Sequence, residues 1–145
     1  MFEKVDNVVA ALCSSEGGLE TMIEKSKRCS QGKSFVLLAD YNEKLVRRLA
    51  PAYLNALLRH DDSSMRSSSI QIEMLLLLAG TMKINDAIRI AGAKKAERFI
   101  AFATDRGILS KFLKMTRSKI KKPLPLELYP DEAEEVAMSE ILSEK

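Results

Sequence analysis

His60 is the only histidine in the chain, and it stands directly before Asp61 and Asp62. A nucleophile, base and orienting acid would all have to be assembled around this one imidazole. Its place at the end of an apolar stretch reads more simply as a cation at a helix C-terminus, where the negative end of the dipole favours the proton. Asp61 and Asp62 could hold a magnesium ion weakly, yet adjacent side chains on a serine-rich loop are ordinarily just solvated. Cys13 and Cys29 are the only cysteines, too far apart for a CxxC pair, and with one histidine they cannot complete a zinc set. Two reduced thiols are the better reading, with a single disulfide the alternative. No dinucleotide-binding glycine fingerprint, phosphate-loop pattern or HExxH pair occurs, and Gly17-Gly18 reads as a turn. The residue pattern points to no enzyme, no metal and no cofactor.

Cations supply the second kind of chemistry. Arg59, Arg66, Lys83, Arg89, Lys94 and Lys95 surround one apolar stretch, and each could contact phosphate, with an affinity that falls as salt rises. A solvated face is the simpler reading of any single one of them, and Arg66 is the strongest candidate for contact. Farther on, Lys111, Lys114, Arg117, Lys119, Lys121 and Lys122 form a run without an acid, whereas the segment from Glu127 to Glu144 holds seven acids and no base. Such a third of the chain is either two solvated faces or a basic docking strip beside an acidic one. Few aromatics stand near the first cluster, Tyr53 being the nearest in sequence, so RNA contacts there would be mainly polar.

These residues must be positioned by a chain of 145 residues, 46% apolar and 30% charged, with a net charge of +3. That is one domain by size, able to bury about two thirds of its unfolded surface. No apolar run approaches the roughly 18 residues that span a bilayer. The start, Met1 to Asp6, holds two acids and no basic region before a long apolar stretch, so a secretory signal is not expected and the address reads as cytoplasmic.

Spacing predicts a strand over Val5 to Leu12, a helix over Leu19 to Cys29 with Leu19, Met22, Ile23 and Ser26 on one face, and a buried strand over Phe35 to Ala39 closed by Asp40. A short helical turn over Tyr41 to Arg48 is expected to break before Pro51, which suits the first turn of a second helix reaching Arg59. Asp61 to Ser69 reads as a loop. Arg98 to Ala103 is another strand, and Thr104 or Asp105 caps a helix with Ile108, Leu109, Phe112 and Leu113 on its apolar face. The basic residues then run into a loop, Pro123 to Pro125 leads to an edge strand at Leu126 to Tyr129, and Pro130 starts a final helix. About four strands and six helices result. Their alternation predicts a sheet covered by helices.

Between Met65 and Ala93 the reading is sharper. Ser68 is placed to cap a helix with Gln71 reaching back, Gly80 supplies the left-handed turn that ends it, and a second helix from Ile84 to Ala91 is closed by Gly92. Ile84, Ala87, Ile88 and Ile90 cannot all face one core from so short a helix, since Ile88 and Ile90 lie about 200° apart on the wheel. One of them is expected at the surface. Packing on the sheet competes with partner contact for Ile84 and Ile88.

Arg66, Ser67, Glu73, Leu76, Ala79, Gly80, Ile84, Ala87, Ile88 and Gly92 stand in an order and spacing that resembles the small regulatory subunit of the KEOPS complex, the assembly that installs threonylcarbamoyladenosine on tRNA. The likeness runs from Ser34 to Asp105, with a looser match of element order from Leu126 to Leu142. Thr81-Met82-Lys83 departs from the polar residues common after the glycine in that family. The resemblance implies an α+β domain with a central, mainly antiparallel sheet and helices on both faces. It also implies a non-catalytic protein that grips the N-terminal lobe of the small KEOPS kinase through Ile84, Ala87, Ile88 and Ala91. The transferase would be another subunit, met indirectly. Similarity to the family further implies contact with the unpaired CCA end of tRNA, for which Arg59, Arg66, Lys83, Arg89, Lys94 and Lys95 are the candidates. A free-standing RNA-binding protein that uses Lys111 to Lys122 is the alternative.

Overall fold

The computed structural model describes residues 7–31, 33–61 and 69–126. In chain order it contains β1 (Val9–Ser15), α1 (Leu19–Cys29), β2 (Val36–Asp40), α2 (Glu43–Asp61), α3 (Ile70–Ala79), α4 (Ile84–Ala91), β3 (Phe99–Ala103), α5 (Arg106–Thr116) and β4 (Ser118–Pro123). Every residue of β3 is buried, as a strand covered on both faces requires. Its side chains alternate between two cores. Ile100 and Phe102 join Leu37, Leu49, Tyr53, Met74 and Leu77 on one face, while Phe99, Ala101 and Ala103 join Cys13, Val36, Met22, Leu109 and Phe112 on the other.

The strands form one sheet in the order β2-β3-β1-β4, antiparallel at each pairing. Helices α2 and α3 cover one face, and α1 and α5 cover the other. This is the α+β arrangement expected from the sequence, an antiparallel sheet with helices on both sides. Helix α4 is set apart: it packs on α3 and sends Ala87 and Ala91 inward.

Five local expectations are corrected. Helix α2 does not break at Pro51, which lies inside one continuous helix. Leu45, Leu49, Tyr53 and Leu57 recur every fourth residue and are all buried in one core, and this shared stripe outweighs the roughly 3 kcal/mol that an interior proline costs. The fourth strand is Ser118–Pro123, where the basic residues predict a loop; nearly all of it is exposed, so it carries no apolar alternation to betray it. Ser69, and not Ser68, caps α3, its Oγ accepting the Ile72 N–H at 3.2 Å. Gln71 does not reach back to the cap but donates to the Val36 carbonyl at 2.7 Å. Strand β1 begins at Val9 and extends to Ser15, later than expected. Ser68, Glu127 to Tyr129 and the helix expected from Pro130 lie outside the described residues.

The α3–α4 link is as read. Gly80 has φ 71°, the left-handed conformation that a side chain resists, and its N–H closes on the Leu76 carbonyl. Of the two candidate caps for α5, Asp105 serves, accepting the Ile108 N–H at 2.8 Å, while Thr104 Oγ1 accepts the Phe35 N–H at 3.0 Å.

Candidate partner groove and basic surface

Helix α4 has eight residues, about two turns, so its faces are few. Ala87 and Ala91, one turn apart, are fully buried. That corrects their expected place in a partner contact: they seat α4 on the body of the protein. Ile84 and Ile88 form the neighbouring face and stand 45% and 53% exposed, with Ile90 exposed as well. Ile84 and Ile88 line a groove of about 400 Å³ together with Ile72 and Leu75 of α3 and Ile23 of α1. Among the described residues, Lys27 lends the only charge to its lining.

The groove lies against β2, whose Leu37 and Leu38 also line it. As the outer strand of the sheet β2 could offer its backbone to an incoming strand, but that edge is already engaged. The Val36 N–H donates to Ser30 Oγ at 3.1 Å, the Val36 carbonyl accepts from Gln71, and Ala39 bridges to Gly92. A partner here would meet side chains, not a free ladder. No protein-family model matches the chain, and no curated protein matches it.

The expected cations separate into three groups. Arg59 is buried and paired with Glu73 at 2.5 Å, side chains 3% and 0% exposed, so its expected role in RNA contact is corrected: it cannot reach a phosphate from the α2–α3 interface. Lys83, Arg89, Lys94 and Lys95 are at the surface. Arg89 approaches Asp86 at 3.7 Å and Lys94 approaches Asp40 at 3.9 Å, loose exposed pairs that a phosphate can displace. Arg66 lies outside the described residues. The later run, Lys111, Lys114, Arg117, Lys119, Lys121 and Lys122, is exposed throughout.

Tyr53 is no stacking platform, since it is buried against Phe35 and Phe102 with ring centroids 6.2 and 5.3 Å away. Tyr41 and Arg98, which the sequence reading did not single out, meet at the surface, the guanidinium carbon 4.6 Å from the ring centroid. Lys122 Nζ lies 5.6 Å from the same ring. Nothing local marks this trio, because its members come from separate elements.

Both thiols are buried and free. Burial pushes Cys13 up to about 12 and raises Cys29 too, with Lys111 partly opposing. His60 sits in the last turn of α2, its Nδ1 without a hydrogen-bond partner among the described residues. Among those residues no three of His, Cys, Asp or Glu gather as a metal set, and no helix is long and apolar enough to cross a membrane.

Proposed function

We propose that this chain is a non-catalytic, cytoplasmic subunit of the KEOPS tRNA-modifying assembly, binding the small kinase of that complex and helping to bring tRNA to it by the unpaired CCA end. The observation that carries the reading is the groove at α4. A singly exposed isoleucine is ordinary, but Ile84 and Ile88 continue an apolar surface with Ile72 and Leu75, and such a surface is what a folded partner buries. The sequence resemblance assigns this same helical pair to the kinase lobe. Ala87 and Ala91 support the contact from behind. Lys83, Arg89, Lys94 and Lys95 remain as tRNA contacts, with Arg66 beside them in the family pattern, and Arg59 is withdrawn.

Size-exclusion chromatography with light scattering on a mixture with the KEOPS kinase of the same organism tests this directly. Co-elution as a defined complex is expected; separate elution at micromolar concentrations would overturn it.

A second reading is favoured by the exposure of all six cations from Lys111 to Lys122. A free-standing RNA-binding protein would bind RNA without any kinase, lose affinity with salt, and fail once that strip is neutralised.

A further inference from the structure

Tyr41 after β2, Arg98 before β3, and Lys119 and Lys122 on β4 bring one aromatic and three cations to one face of the sheet, toward one end of its strands. Arg98 precedes β3 by one residue, so it shares the face of Ile100 and Phe102, the face that α2 covers. On β4, Lys119 stands opposite Ser14 and Lys122 opposite Leu12. Leu12 belongs to that same face, and so does Ser14, two residues on. Regular pairing would set Lys121 opposite Leu12, but the register shifts between Leu12 and Cys13. This bulge inserts one residue, turns Lys122 over the Tyr41 ring and sends Leu124 into the core. Among the described residues Arg98, Lys119 and Lys122 have no carboxylate at ion-pair distance. All three are exposed, and Tyr41 is half-buried.

We infer that Tyr41, Arg98, Lys119 and Lys122 form a binding site for single-stranded RNA, an inference that rests on the RNA-binding part of the reading above. An exposed guanidinium beside a phenol ring is a flat cation, and an unpaired base stacks on such a plane. Lys119 and Lys122, on β4 across β1 from β3, take the flanking phosphates as point charges. Duplex RNA has its bases already stacked and gains only the phosphate contacts.

The test is fluorescence anisotropy of a labelled single strand of about ten nucleotides, titrated with the full chain over a series of salt concentrations. Arg98→Lys keeps the charge and loses the plane, so it weakens binding roughly tenfold with the salt slope unchanged. Lys119→Gln with Lys122→Gln lowers the slope by about 1.4, that is 0.7 for each phosphate lost. If the parent binds single strands and the Arg98 and lysine variants bind identically, the site is overturned while the RNA reading stands. If duplex of equal length binds as tightly as the single strand, the stacking role is overturned. If the parent binds no single strand, the RNA reading falls and the site with it.

Discussion

Arg59 and Glu73 bury opposite charges inside the α2–α3 interface, where neither can be left alone. Removing one partner takes the opposing charge away from the other in a poorly solvated interior, so Arg59→Ala should lower stability by about 3–5 kcal/mol in urea unfolding. Arg59→Met with Glu73→Leu, which removes both charges of this pair, should cost much less. Cys13 makes a second prediction, in pH. Its folded value lies near 12 against an ordinary 9.0, so the folded state holds its proton where the unfolded chain releases it. The associated stability is complete below pH 9 and is lost as pH rises toward 12. Unfolding midpoints measured from pH 8 to 11 should therefore fall more steeply for the parent than for Cys13→Ala. Residue type alone spoke of a cation able to meet phosphate at Arg59 and of a reduced thiol at Cys13, and the second agrees with the free, buried thiol that the fold holds.

At the scale of elements, the glycine that ends α4 is held by contact. A Cβ on Gly92 would lie 2.5 Å from the Ile88 carbonyl oxygen, and Gly92 also bridges to Ala39 of β2. Gly92→Ala should thus destabilise by roughly 1–3 kcal/mol and loosen the seating of α4, seen as faster amide exchange over residues 84–91. The helices α1, α3, α4 and α5 and the strand β3 were legible because apolar spacing, caps and Gly80 all agree locally. Helix α2 reads as two because a proline outweighs three leucines and a tyrosine in a local reading, whereas their burial in one core decides it. Strand β4 was missed because its partner β1 lies a hundred residues earlier and its own residues are nearly all polar and exposed.

At the scale of the molecule, the apolar groove and the Tyr41 corner share no residue. Ile88 is exposed, so Ile88→Glu should leave the unfolding midpoint nearly unchanged, abolish co-elution with the KEOPS kinase, and leave affinity for single-stranded RNA as it was. Unaltered kinase association would remove α4 from the contact. The sequence by itself determined the alternation of helices and strands, the two-helix unit around Gly80 and the supply of cations, because periodicity, caps and charge are written in neighbouring residues. Tertiary structure alone decided which of those residues face outward. It took Ala87 and Ala91 into the core, withdrew Arg59 into an ion pair and gathered Tyr41, Arg98 and Lys122 from three separate segments. Burial and cross-strand register depend on distant partners, and a linear reading has no term for them.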